Sequence, residues 1–241
     1  MNAFLTRLAY AFFPRRCLYC DRVIRPDQTS CDDCCDTIPR MDGICCPHCG
    51  RTKTDCHCRR HKRAYDRLIT AMRYERGAKS AILALKKDRD ADRIHTMGQE
   101  MAAALRAKSD AAPLDIVTFI PMCKKDERKR GYNQSRLLAT EVASLLDLPL
   151  KPMLKKCFET HSQKGLPWHE RSGNVLGAFD VIAPTKGKRI LLVDDLATTG
   201  CTLNECAKML KIYGAESVTA LTFAATVPKE KTESNEDENS R

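Results

Sequence analysis

The sequence predicts an α/β protein, a mostly parallel sheet flanked by helices, preceded by a small cysteine-rich domain. Three observations carry this. From residue 64 onward, short β-branched runs alternate with helically spaced apolar stripes. Ten of the 14 cysteines are confined to residues 17–58. A buried-strand pattern ends in two adjacent carboxylates, followed by a turn of small and hydroxylated residues. With 241 residues, 43% of them hydrophobic, the chain can fill one domain of ordinary size and a small one.

Four segments separate by composition. Residues 1–14 are mildly apolar (Phe4, Leu5, Leu8, Tyr10, Phe12, Phe13) and predict a short amphipathic helix docked on the rest. Arg7 interrupts the apolar run, and no small-residue cleavage site follows, so a signal peptide is a poor reading and none is expected. No apolar run reaches membrane-spanning length, so no stable membrane insertion is expected and the cytoplasm is the expected compartment. Residues 15–63 are rich in Cys, Asp and turn formers and end in the basic joint Arg59-Arg60-His61-Lys62-Arg63. Residues 64–227 carry the α/β pattern. Residues 228–241 are polar and charged without a large apolar side chain, the composition of a disordered tail.

Within 64–227, Ala78, Ala81, Ile82 and Leu85 fall at helical spacing, as do Met97, Met101, Ala104 and Leu105. Asp115–Ile120 predicts a buried strand ending at Pro121, and Leu138, Val142 and Leu145 mark the next helix. Arg189–Asp194 predicts a second buried strand. Leu203, Cys206, Ala207 and Leu210 form the stripe of the helix after it, which Gly214 stops. Ser217–Ala224 is the third expected strand.

The cysteines come in knuckles. Cys17-Leu-Tyr-Cys20 pairs with Cys31-Asp-Asp-Cys34, and Cys46-Pro-His-Cys49 pairs with Cys56-His-Cys58. A Cys-x-x-Cys turn presents two thiolates on one side, and two such turns complete a tetrahedron around Zn²⁺. Disulfides suit a reducing compartment poorly, and ten free thiols would leave this segment without a core. Two structural zinc ions are therefore expected. The shorter Cys56–Cys58 spacing leaves His48, His57 and His61 as alternative ligands at the second site, and Cys35 and Cys45 as adjacent spares.

The sharpest chemical signal is Ile190-Leu-Leu-Val-Asp194-Asp195-Leu-Ala197-Thr198-Thr199-Gly200-Cys201-Thr202. A strand, a small-residue turn and a helix N-terminus converge several backbone N–H groups on one point, which is a phosphate cradle. Two carboxylates at the strand end lie where an open α/β sheet binds its ligand, able to accept from vicinal hydroxyls or support a hydrated Mg²⁺. The stretch is neither a Walker A loop nor a Gly-x-Gly-x-x-Gly turn. Two further blocks stand out. In Arg128-Lys-Arg130-Gly131-Tyr-Asn-Gln, a basic loop at a strand end is expected to receive a pyrophosphate. The stretch from Gln163 through Arg171 to Asn174 reads as a mobile loop.

The Asp194–Thr202 stretch resembles the phosphoribosyl-pyrophosphate (PRPP) motif of type I phosphoribosyltransferases. By that resemblance Asp194 and Asp195 hold the ribose hydroxyls, and the turn from Ala197 to Thr202 holds the 5′-phosphate. The loop from Gln163 to Asn174 would cover the site. Purine-salvage members carry Asp where this chain has Thr198, so a purine-base acceptor is not implied. Taken with the double zinc ribbon, the Arg-Gly-Tyr-Asn-Gln block and Asn174-Val-x-Gly177-Ala-Phe179, the chain resembles the ComF family over roughly residues 15–225. These are phosphoribosyltransferase-like proteins associated with DNA uptake. The resemblance implies binding of PRPP or a related phosphorylated ribose with Mg²⁺, and a link to natural competence or nucleotide metabolism. The alternative it leaves is a non-enzymatic zinc-containing interaction protein that binds single-stranded DNA or a helicase partner. A formal charge of +10 suits either anionic ligand. Eight zinc-bound thiolates would lower it to about +6.

Overall fold

The computed structural model describes residues 10, 12, 14–56, 58, 62–107, 113–157 and 177–227. Most of the expected N-terminal helix, the loop bearing Gln163, Arg171 and Asn174, and the polar tail lie outside the described residues. In chain order the elements are α1 (Asp32–Cys35), β1 (Arg67–Arg73), α2 (Arg76–Leu85), α3 (Ala91–Arg106), β2 (Ile116–Phe119) and α4 (Lys124–Arg130). They continue as α5 (Gln134–Leu146), β3 (Leu154–Lys156), β4 (Phe179–Val181), β5 (Arg189–Ala197), α6 (Cys201–Ile212) and β6 (Ser217–Ala225).

β1, β6, β5 and β2 pair in that order into one parallel sheet. A parallel sheet is covered on both faces, so its strands alternate between two apolar cores. Leu191 and Val193 of β5 join Ile69, Val117, Leu221 and Phe223 on one face, under α2, α3 and α5. Ile190 and Leu192 join Leu68, Ile116, Val218 and Ala220 on the other, under α6 and the antiparallel β3–β4 pair. The helical stripes bury as their spacing requires: Ala78, Ala81, Ile82 and Leu85 in α2, and Leu203, Cys206, Ala207 and Leu210 in α6. In α5, Leu138 and Val142 are buried while Leu145 is half-buried. Gly214, at φ +90°, ends α6 as expected, and Ala215 N–H closes back on Leu210 O at 3.0 Å.

The cysteine-rich segment packs against the edge of this sheet. β1 is an edge strand, and an open edge is a liability unless it is covered. Met41 N–H donates to Ala71 O at 2.8 Å, Arg73 N–H to Pro39 O at 2.7 Å, and Leu68 N–H to Pro47 O at 2.8 Å. Cys17, Leu18, Tyr19 and Ile24 are buried in the same core as Ile69, Met72 and Ala78.

Three expectations change. β1 was not anticipated: its interior, Leu68-Ile-Thr-Ala-Met72, is buried throughout and mixes β-branched with unbranched side chains, so it shows no two-residue alternation. β5 runs through Asp194 and Asp195 to Ala197, so Ala197 belongs to the strand and not to the turn. The basic loop is a short helix, α4, because Lys, Arg and Glu are good helix formers. Its acids (Asp126, Glu127) stand in the first turn and its bases (Arg128, Lys129, Arg130) in the last, as the helix dipole favours. Gly131, at φ +82°, ends it.

Candidate active site and zinc centres

The carboxyl end of β5 opens into a cleft of about 280 Å³. Asp194 and Asp195 form its floor, and Lys86, Arg130, Ser135, Lys156, Phe179 and Thr202 are among its walls. The half-buried Asp194 accepts through Oδ1 from Ser135 Oγ at 2.7 Å and from Asp195 N–H at 2.9 Å. Desolvation first, and the neighbouring Asp195 charge second, push its carboxyl up to about 8. Hydroxyl donors or a cation reaching the pair would favour its ionised form. Asp195 has one such partner, Lys86 Nζ, 3.5 Å from Oδ2.

Beyond Ala197 the chain turns at Thr198–Gly200 into the N-terminus of α6. Gly200 takes φ +73°, a conformation open to glycine without strain. Cys201 N–H donates to Thr199 Oγ1 at 3.4 Å. The first N–H groups of a helix have no partner within it, so this turn faces an anion naturally.

The Arg130–Gln134 block is built mostly for support. Tyr132 OH donates to Leu85 O at 2.8 Å and lies 2.9 Å from Asp88 O, tying the cleft to the end of α2. Asn133 caps α5 by accepting from Arg136 N–H, and its amide donates to Ile120 O at 3.0 Å. Arg130 Nη1 donates to Gln134 Oε1 at 2.7 Å, while the buried Gln134 Nε2, on the cleft wall, has no hydrogen-bond partner. Of the expected pyrophosphate residues, Arg130 lines the cleft, whereas Arg128 is exposed and is not among its walls. Gly131 also stays outside, acting as the cap of α4.

The two cysteine groups form as expected. The Sγ atoms of Cys17, Cys20, Cys31 and Cys34 lie within 4.8 Å of one another, as do those of Cys46, Cys49, Cys56 and Cys58. Individual Sγ separations are 3.6 Å (Cys20–Cys31), 3.7 Å (Cys46–Cys58), 3.6 Å (Cys49–Cys56) and 3.4 Å (Cys56–Cys58). A tetrahedron with Zn–S bonds of about 2.3 Å has edges of about 3.7 Å. The donor set fits zinc, and four thiolates leave no open coordination position. Cys35 and Cys45 stand outside both groups, as does His48, whose carbonyl accepts from Tyr65 OH at 2.7 Å. His57 and His61 lie outside the described residues.

The chain is similar to several known proteins. The phosphoribosyl transferase domain model matches residues 133–240. Competence protein F of Haemophilus influenzae is 28% identical over 221 residues, 86% of this chain and 95% of that one. Competence protein ComFC of Bacillus subtilis is 28% identical over 236 residues, 86% of this chain and 93% of that one. The likeness to these two competence proteins runs over most of the chain. DNA utilization protein YhgH of Escherichia coli is 28% identical over 194 residues, 76% of this chain and 85% of that one. Among solved structures, glutamine PRPP amidotransferase of B. subtilis is 23% identical at a TM-score of 0.38, over 56% of this chain and 28% of that one.

The fold gathers Asp194, Asp195, Thr202 and Arg130 from the expected set, brings in Phe179 from the Asn174–Phe179 block, and adds Lys86, Ser135 and Lys156, which the sequence did not single out. Lys86 comes from the end of α2, Ser135 from the start of α5, and Lys156 and Phe179 from the β3–β4 pair. Lys86, Ser135 and Lys156 are distant in sequence from Asp194, so no local pattern marks them. The only signal for Ser135 was its place directly after the Arg-Gly-Tyr-Asn-Gln block.

Proposed function

We propose that this protein binds PRPP, or a closely related phosphorylated ribose, and transfers the phosphoribosyl group in a process linked to DNA uptake. The observation that carries the reading is the union of the Asp194–Asp195 pair with a helix-N-terminal turn at the mouth of a cation-walled cleft. In it, Thr198 to Thr202 receive the 5′-phosphate, and Asp194 and Asp195 accept from the two ribose hydroxyls. Lys86 and Arg130 stand on the side of the leaving group. Mg²⁺, arriving with PRPP, supplies charge neutralisation at the pyrophosphate. As the bond from C1 to pyrophosphate breaks, its electron pair leaves with the pyrophosphate. The cationic wall favours that negative charge, while the sugar passes through an oxocarbenium-like state. An acceptor nucleophile then bonds to C1 and gives up its proton. Arg128 and the loop bearing Gln163, Arg171 and Asn174 complete the proposed site as the outer cation and the cover that excludes water.

The competence and DNA-utilization names of the relatives support the link to DNA uptake. No helix among the described residues is long and apolar enough to cross a membrane. We place the protein in the cytoplasm, where zinc thiolates stay reduced, with single-stranded DNA and an uptake helicase as the partners to test.

Calorimetry with PRPP and Mg²⁺ tests the reading. Heat of binding is expected from the wild type and none from the double variant Asp194→Asn, Asp195→Asn. A wild type that binds no PRPP, but binds single-stranded DNA with a steep salt dependence, would overturn the enzyme reading in favour of an interaction protein.

A further inference from the structure

The phosphate turn is gripped from outside the cleft by the second cysteine knuckle. Arg51 follows Cys49-Gly50, and its guanidinium bridges two chain ends: Nε donates to Thr226 O at 2.7 Å and Nη2 to Thr198 O at 3.0 Å. Thr198 begins the turn after β5, and Thr226 is the residue after β6. Thr226 also donates through Oγ1 to Thr198 O at 3.3 Å and through its N–H to Ala197 O at 3.0 Å. Arg63, shortly after Cys58, donates through Nη2 to Thr199 O at 3.2 Å. Next to it Ala64 N–H donates to Asn204 Oδ1, in the first turns of α6, at 2.9 Å. Tyr65 OH, which donates to His48 O within the knuckle, is 3.3 Å from where a Cβ on Gly200 would sit.

The knuckle itself has little freedom. Cys46 N–H donates to Arg51 O at 2.7 Å and Gly50 N–H to Cys46 O at 2.8 Å, so the turn that presents two thiolates also sets the backbone of Arg51. It is pressed onto β1, since a Cβ on Gly50 would come within 2.5 Å of Thr70 Oγ1. A tight hydrogen-bonded turn therefore ends in a planar fork that spans two carbonyls, a task for which a lysine has neither the shape nor the paired donors.

We propose that Arg51, supported by Arg63, is a positioning residue for the phosphate turn, and that metal binding at Cys46, Cys49, Cys56 and Cys58 thereby controls how well the turn is organised for its ligand. The Arg51 contact fixes the carbonyl side of Thr198, so that the N–H side of Thr199 to Thr202 is presented inward. It also places a cationic guanidinium behind the cradle. The ligand half of this inference rests on the PRPP reading above; the ordering half does not.

The test compares full-length, zinc-loaded wild type with Arg51→Ala and Arg51→Lys. Amide hydrogen exchange of peptides spanning 197–203, without ligand, is expected to be at least about tenfold faster in Arg51→Ala and intermediate in Arg51→Lys. Peptides from β2 and from the first knuckle should be unchanged, and two zinc ions per chain retained. Should Arg51→Ala lose zinc, Arg51→Lys decides alone. Calorimetry is expected to show PRPP affinity falling in the same order. Unchanged exchange at the turn overturns the inference, as does equal PRPP affinity in all three proteins. A wild type that binds no PRPP removes the PRPP reading instead, and the exchange data still decide whether Arg51 orders the turn.

Discussion

Lys86, the residue that caps α2, places its Nζ 3.5 Å from Asp195 Oδ2 across the cleft. The contact joins the end of a helix on one face of the sheet to the end of the central strand β5. It gives Asp195, on the acidic floor of the cleft, a cation. It follows from strand alternation: Leu191 and Val193 face the core under α2, α3 and α5, and Asp195 continues that series toward the same side. Lys86 is half-buried, so its charge acts in a medium less screening than bulk water.

Replacing Lys86 with Gln removes that cation from the cleft. The affinity for PRPP with Mg²⁺ should fall roughly tenfold, the scale of one charge-assisted contact. The dependence of affinity on salt should become shallower. Titration calorimetry at two ionic strengths reads both, and an unchanged affinity would remove Lys86 from the proposed leaving-group side.

Asp194 makes stability depend on pH in a definite direction. Its carboxyl is pushed from the ordinary carboxylate range up to about 8 in the folded protein. Between about pH 4 and pH 8 the native state therefore holds more protons than the unfolded one, and stability declines as pH rises through that window. Asp194→Asn abolishes this decline. Urea midpoints measured at pH 6, 7 and 8 on the ligand-free, zinc-loaded proteins should show the variant gaining on the wild type as pH rises. Parallel curves would mean that the Asp194 carboxyl is ionised throughout.

The two cysteine groups should differ in what their loss does. Cys17 is fully buried and shares the main core with Leu18 and Tyr19, whereas Cys56 is half-buried beside Cys49 and Cys58. Cys17→Ser should lower the thermal midpoint by more than about 10 °C, because metal binding and folding are coupled there. Cys56→Ser should cost only a few degrees. Both should drop zinc content to one ion per chain. Scanning calorimetry with metal analysis checks this, and equal midpoints would show that both sites are equally embedded in the fold.

Gly77 shows the same embedding by packing alone. A Cβ there would lie 2.3 Å from Tyr19 Cβ, where the first knuckle meets α2. Gly77→Ala should therefore destabilise by about 1–3 kcal/mol despite alanine's better helix propensity. Ser80→Ala, on the exposed side of the same helix, should be neutral or slightly stabilising. Urea unfolding of the pair distinguishes a steric contact from a general intolerance of α2.

What could be read in the sequence was what repeats locally. Helix stripes such as Leu203, Cys206, Ala207 and Leu210 bury as their spacing requires, because one face of a helix is settled by 3.6-residue periodicity. The eight cysteines were legible because two thiolate pairs at short spacing complete each of two tetrahedra. Asp194 through Thr202 was legible because strand, turn and helix start are contiguous. Where local patterns misled, competing local physics explains it: Arg128 to Arg130 looked like a loop by charge, but their helix propensity and dipole placement make α4.

The sequence by itself thus determined the fold class, the cysteine groups and the core of the phosphate turn. Only the tertiary structure decided which distant groups meet there. Lys86, Ser135, Lys156 and Phe179 reach the cleft because the sheet order β1-β6-β5-β2 brings separate strand and helix ends to one side. Arg51 and Arg63 reach the back of the turn because the edge strand β1 had to be covered, and the second knuckle covers it. These are non-local pairings, fixed by burial and by backbone groups that need partners, and no spacing along the chain encodes them.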